Sequence, residues 1–191
     1  IFSVCFFDVR ENTVEVFFMK LRSFIAAFLA LTFMLPSASV GFGSADGIMC
    51  SAEKNRAPDF VVTDTDGNAV TLSQFFGKPI VLNFWATWCM PCVYELPDFE
   101  EAFREYGDRV VFMMINQTNG YSDTFQGVKD YAEICGFTFP LYFDTESSAT
   151  EQYGANVLPL TVLIDRDGNI HMSYIGILGR DALEEHIKML L

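Results

Sequence analysis

Apolar positions along the chain fall into two kinds of run, and each predicts a different element. Ile80-Val81-Leu82-Asn83-Phe84-Trp85, led in by Pro79, is short and nearly all apolar, as a strand buried on both faces should be. Val110 to Asn116 repeats the pattern and predicts a second buried strand. Leu96, Phe99, Ala102, Phe103 and Tyr106 instead recur at steps of three and four. That period predicts a helix over Cys89 to Tyr106 with one apolar face, stopped at Gly107.

Shorter signals fill the remainder. Phe60–Thr63 and Ala69–Thr71 flank Asp66-Gly67, and Leu160–Asp165 and Asn169–Tyr174 flank Asp167-Gly168; both read as hairpins. A short helical turn is expected over Ser73–Phe76, closed by Gly77, and a loop over Asn119–Ser122. Further helices are expected over Asp123–Cys135, ending at Gly136, over Ser147–Tyr153 and over Arg180–Leu191, with a short strand at Phe139–Phe143. The order is hairpin, β, α, β, α, β, α, β, β, α. It predicts an α/β domain over residues 57–191, a central mixed sheet with helices on both faces.

The first part of the chain reads differently. Lys20 and Arg22 follow Met19, then come twelve residues without a charge from Phe24 to Leu35, then Pro36-Ser37-Ala38-Ser39. Residues 19–39 thus carry the three regions of a secretory signal peptide. The apolar run is short for a membrane span, and an uncleaved anchor over 24–35 is the alternative. Residues 1–18 are expected to be a non-native upstream extension, and residues 40–56 a tether. Cys50 follows Met49 well beyond the apolar run, which does not suit lipidation.

Composition narrows the function. The 191 residues carry 12 basic and 25 acidic side chains, a net charge of −13. Residues 1–39 hold as many acidic as basic groups, so their removal leaves that balance unchanged. With no basic surplus to neutralise phosphates, a nucleic-acid partner is not expected. Nor is docking on anionic lipid. Among the five cysteines, Cys5, Cys50, Cys89, Cys92 and Cys135, only Cys89 and Cys92 lie close together, which is not a disulfide framework.

That pair carries the chemistry. Trp85-Ala86-Thr87-Trp88-Cys89-Met90-Pro91-Cys92 runs from the end of a strand into the start of a helix. A cysteine at a helix N-terminus feels unpaired N–H groups and the positive end of the dipole, which favour its thiolate. Positions three apart share a face, so the two sulfurs can close a disulfide, and Pro91 suits the first turn. Cys89 is expected to be the exposed attacking sulfur, and Cys92, one turn deeper, to resolve the mixed disulfide. A zinc site would need a second ligand pair; Cys50, Cys135, His171 and His186 are scattered, and no metal is expected. Glu95 shares the Cys92 face. Spacing alone leaves it between a proton acceptor for Cys92 and a solvated glutamate favoured by the dipole. By base rate the Leu158–Pro159 bond is trans. Cys135 is expected to be a buried thiol, with a Cys50–Cys135 disulfide as a minor alternative, and His171 to face solvent.

These strings resemble the thioredoxin superfamily, and within it the TlpA/ResA-like thiol–disulfide oxidoreductases with a redoxin (AhpC/TSA-like) domain. The resemblance rests on Ala57-Pro58-Asp59-Phe60, on Asn83 through Cys92 with Glu95-Leu96-Pro97, and on Leu158-Pro159 before Thr161–Asp165 and Asp167-Gly168. It implies a thioredoxin fold with an N-terminal β-hairpin and a helix–strand insert over residues 117–143. It also implies a cis Pro159 facing the disulfide, with Trp88, Met90, Pro91 and Leu158 in the substrate groove, and it favours Glu95 as a proton-handling residue. Asn83 stands where cytosolic-type thioredoxins carry an aspartate. Because an amide cannot titrate, base work falls to Glu95 or water. Leu160 stands where many relatives have threonine.

The activity implied is that of an exported, monomeric protein-disulfide oxidoreductase with no cofactor beyond its redox-active Cys89–Cys92 disulfide. Its expected location is periplasmic or otherwise extracytoplasmic. Its substrates would be exported proteins with cysteine pairs, such as apocytochrome c before haem attachment. The direction is reduction, fed by a membrane thiol electron donor. Two other classes remain open: a peroxide-reducing redoxin, which would want an arginine by the sulfur, and a copper-handling thiol protein, which would want a histidine.

Overall fold

The computed structural model describes residues 55–191. The upstream extension, signal segment, nearly all of the tether and the Cys50 pairing lie outside the described residues. In chain order the elements are β1 (Val61–Thr63), β2 (Ala69–Thr71), a 3-10 turn (Leu72–Phe75), β3 (Ile80–Trp85), α1 (Met90–Tyr106) and β4 (Val111–Asn116). There follow α2 (Phe125–Cys135), β5 (Leu141–Phe143), α3 (Ser148–Tyr153), β6 (Leu160–Ile164), β7 (Ile170–Ile175) and α4 (Arg180–Leu190). Among the described residues no helix is long and apolar enough to cross a membrane.

The strands form one mixed sheet in the order β2-β1-β5-β4-β3-β6-β7. β3 lies near the centre, parallel to β4 and antiparallel to β6, and every one of its residues is buried. Its alternate side chains feed two cores. Val81 and Trp85 pack with Leu96, Phe99, Tyr106, Val128, Leu183 and Ile187, beneath α1, α2 and α4. Ile80, Leu82 and Phe84 pack with Phe60, Leu72, Ala149 and Val162, on the side of α3 and the β1–β2 hairpin. Helices therefore cover both faces, as the element order predicted, and a two-sided core accounts for the apolar run.

Several boundaries move for identifiable reasons. The expected helix start at Asp123 slips to Phe125 because Thr124 caps α2, its hydroxyl accepting from the Gly127 N–H at 3.1 Å. The expected strand at Phe139–Phe143 shortens to Leu141–Phe143. Pro140 offers no N–H, and the Glu100 carboxylate takes the Phe139 N–H at 3.1 Å. Gly107 does end α1, but in a right-handed conformation (φ −58°). A Cβ there would lie 2.6 Å from the Phe103 carbonyl oxygen, so space rather than handedness calls for glycine. At the hairpin end, Asn55 and Arg56 already engage the domain. The Asn55 carbonyl accepts from the Ile170 N–H at 2.7 Å, and the Arg56 guanidinium lies 5.0 Å from the Phe76 ring centre.

Candidate active site

Parallel β3 and β4 end at the same edge of the sheet, at Trp85 and Asn116. Open α/β sheets place their sites beyond the carboxyl ends of such strands. After Trp85 the chain makes a tight turn in which the Cys89 N–H donates to the Ala86 carbonyl at 3.2 Å. Cys89 is the N-cap of α1, Pro91 lies in its first turn, and the Cys89 sulfur accepts from the Cys92 N–H at 3.2 Å. The two cysteines are joined in a disulfide, with Cα atoms 5.2 Å apart.

The expected depth order holds, though Cys89 is less open than the sequence suggested. It is only 6% exposed in the oxidised state and Cys92 is wholly buried. Access comes through a groove lined by Trp88, Cys89, Met90, Pro91, Gln117, Asn156, Val157 and Leu158. Trp88, Met90 and Val157 stand more than half exposed around it. The Leu158–Pro159 peptide is cis, correcting the base-rate reading and agreeing with the resemblance. Strand pairing starts only at Leu160, so the Leu158 backbone lies outside the ladder at the groove wall.

Glu95 is wholly buried, which rules out the solvated alternative. One carboxylate oxygen accepts from Asn83 Nδ2 at 2.7 Å and the other from the Leu178 N–H at 2.9 Å. Asn83 also donates to Thr161 Oγ1 at 3.1 Å. Burial pushes the Glu95 carboxyl up to about 7, against the lowering pull of the Leu178 and Asn83 hydrogen bonds. A carboxyl at that level can both take and return a proton near neutrality.

Other candidates fall elsewhere. Cys135, expected in the core, is only half-buried at the C-terminus of α2; the helix turns its apolar face inward through Val128 and Ala132 instead. His171 is exposed as expected. It pairs with His186, ring centres 5.9 Å apart, and neither lines the groove. Sequence reasoning missed Gln117 and Asn156 in the groove wall, Thr161 beneath Asn83, and a carboxylate, Asp123, bonded to Thr87. The position of Gln117 directly after a parallel strand was the available signal.

Residues 54–173 match the AhpC/TSA family. The thiol-disulfide oxidoreductase ResA of Bacillus anthracis is 33% identical over 165 residues, covering 84% of this chain and 94% of that protein. Among solved structures, StoA from Bacillus subtilis is similar with a TM-score of 0.59 at 26% identity, over 69% of this chain and 97% of that one. The exposed lipoprotein thioredoxin of Streptococcus pneumoniae strain TIGR4 gives 0.62 at 28% identity, over 70% and 100%. The seven-stranded sheet is thus a thioredoxin fold.

Proposed function

This chain belongs to the AhpC/TSA family and is a thiol–disulfide oxidoreductase of the ResA type, and on that premise we propose that it reduces disulfides in other exported proteins. Its substrates are proteins with cysteines. Cysteine pairs of the kind that apocytochrome c presents before haem attachment are the class proposed, with a membrane thiol donor returning the electrons. The observation that carries this reading is the Cys89–Cys92 disulfide at the N-terminus of α1, opening on a groove walled by Leu158.

The proposed cycle is a pair of thiol–disulfide exchanges. In the dithiol state the Cys89 thiolate, favoured by the helix N-terminus, attacks one sulfur of the substrate disulfide. A mixed disulfide forms and the other substrate sulfur leaves as thiolate. Cys92 gives up its proton and attacks Cys89 Sγ, releasing the second substrate thiolate and closing Cys89–Cys92. Two electrons pass to the substrate. Glu95, one turn beyond Cys92 on the same buried face, is the proposed acceptor of the Cys92 proton. The exposed side chains of Trp88 and Met90, with Pro91 and Leu158, supply an apolar wall for an extended chain.

Export is supported by the signal-like pattern at 19–39 and by a solved relative described as an exposed lipoprotein. The peroxidase alternative gains nothing from the groove, whose lining includes no guanidinium. The test is the reduction potential of Cys89–Cys92 in the full chain, set against thiol buffers. A value near or below about −270 mV supports the reductant role, and one toward about −120 mV overturns it in favour of an oxidant.

A further inference from the structure

The turn that presents Cys89 is held from the side by a carboxylate that the cycle above does not use. Asp123 is 2% exposed and lies between β4 and α2. One of its oxygens accepts from the Thr87 N–H at 2.8 Å and from Asn116 Nδ2 at 2.7 Å. The other accepts from the Thr87 hydroxyl. Asn116 is fixed in turn by Thr118 Oγ1, which donates to its side-chain oxygen at 2.8 Å. Asn119 Oδ1 accepts the N–H groups of Tyr121, Ser122 and Asp123, which sets the loop that delivers the carboxylate. Thr87 is the second residue of the Ala86–Cys89 turn, so both of its donors are clamped within the turn that ends at the reactive sulfur.

We propose that Asp123 is a positioning residue for Cys89 and that its negative charge holds the Cys89–Cys92 couple toward the reducing end. The inference rests on the reading of Cys89–Cys92 as the exchanging pair. Two physical effects follow from one side chain. The clamp keeps the turn in a single geometry, so that less orientational freedom is lost when the sulfur attacks. The charge acts through space. Every donor to the carboxylate is neutral, and among the described residues no lysine or arginine pairs with it. A buried charge of this kind is poorly screened by salt and disfavours a thiolate nearby.

In the exchange with glutathione, the protein disulfide and two thiols become the protein dithiol and one glutathione disulfide. Disfavouring the thiolate form of the product draws that equilibrium toward the protein disulfide, which makes the dithiol the stronger reductant. The α1 N-terminus pulls the other way. Glu95, buried further along α1, is a second carboxylate, and neither Gln117 nor the Asn156–Leu158 wall brings a charge. Asp123 is the buried carboxylate that the insert bonds directly to the turn carrying Cys89.

The test uses the full chain equilibrated in glutathione buffers, alkylated, and read by mass spectrometry at the Cys89–Cys92 peptide. Circular dichroism confirms that each variant is folded. Asp123→Asn keeps the shape and removes the charge. The equilibrium constant for its reduction should rise roughly three- to tenfold, and Cys89 alkylation should shift to lower pH. Thr87→Val leaves the charge and removes one arm of the clamp. Its Cys89 should react several-fold more slowly with a small aromatic disulfide, at an unchanged equilibrium constant. A folded Asp123→Asn chain with the wild-type constant, or Thr87→Val with the wild-type rate, overturns the proposal. A wild-type chain that forms no reversible couple instead overturns the reading of the site itself.

Discussion

Asn83 donates its side-chain amide to the carboxylate of Glu95 at 2.7 Å, in a part of the core where neither side chain is exposed. The bond joins the central strand to the helix that carries both cysteines. Burial disfavours the charge on Glu95, while the Asn83 and Leu178 donors favour it. The outcome, a carboxyl near neutrality, is what a proton acceptor for a thiol requires. Because an amide does not titrate, Asn83 can take no proton from Cys92, and Glu95 is the acceptor proposed.

The first expectation concerns rate. Below about pH 7 Glu95 holds its proton and cannot take one from Cys92; above it, the carboxylate can. Stopped-flow measurement of mixed-disulfide resolution should show a rate that climbs through that range. Glu95→Gln should lose this limb and slow resolution roughly 100-fold at pH values above it. An unchanged profile in the variant would remove Glu95 from the mechanism.

Stability should carry the opposite sign. The carboxyl is raised from 4.5 to about 7 on folding. Its protonated form therefore supports the fold fully below about 4.5, and that support is lost as pH rises through about 7. The loss is worth roughly 3 kcal/mol. Denaturant unfolding of Glu95→Gln and wild type should show the variant gaining on the parent by that order between acid and alkaline buffers. A constant difference across pH would count against a buried, raised Glu95.

The roles of the two sulfurs differ. Cys92→Ser should trap a mixed disulfide between Cys89 and a substrate cysteine, visible as an adduct by mass spectrometry. Cys89→Ser should trap none, since Cys92 is wholly buried. Adducts on Cys92 in the latter variant would reverse the assignment.

Met90 is 72% exposed beside the disulfide, so its substitution should change binding and little else. Met90→Ser, which adds no charge beside the thiolate, should raise KM for a disulfide-bonded peptide roughly tenfold, a cost of about 1.4 kcal/mol, with kcat held. Unfolding free energy should move by no more than about 0.5 kcal/mol. A fall in kcat at constant KM would show that Met90 does not bind substrate.

Glu100 makes a purely structural prediction. Its buried carboxylate accepts from the Thr138 N–H at 2.7 Å, the Thr138 hydroxyl at 2.6 Å and the Phe139 N–H at 3.1 Å, tying the insert to α1. Glu100→Ala strands these donors and should cost about 2–4 kcal/mol in chemical denaturation. The Cys89–Cys92 potential should stay where it is. A loss below about 0.5 kcal/mol would mean the clamp is dispensable.

Much of this could be read before the fold was known, and the exceptions share a cause. The buried strands, the helix opening at Cys89 and the Asp167-Gly168 hairpin follow from periodicity and turn chemistry, which are local. Glu95 could not be decided that way, because its state depends on Leu178, 83 positions later. The residues around Asp123 carry a helical pattern, whereas Thr87, 36 positions earlier, claims its carboxylate. A core position for Cys135 fails for the same reason: the apolar Ile134 beside it is 84% exposed, because α2 turns Val128 and Ala132 inward instead.

The sequence by itself determined the element order, the cysteine pair and its place at a helix N-terminus, since each depends on residues within one or two turns of one another. Only the tertiary structure decided the strand order, the burial that raises Glu95 and the carboxylate bonded to the Cys89 turn. The physical reason is the range of the interactions. Desolvation and buried hydrogen bonds depend on which distant segments close over a group, and no local pattern of residues records that.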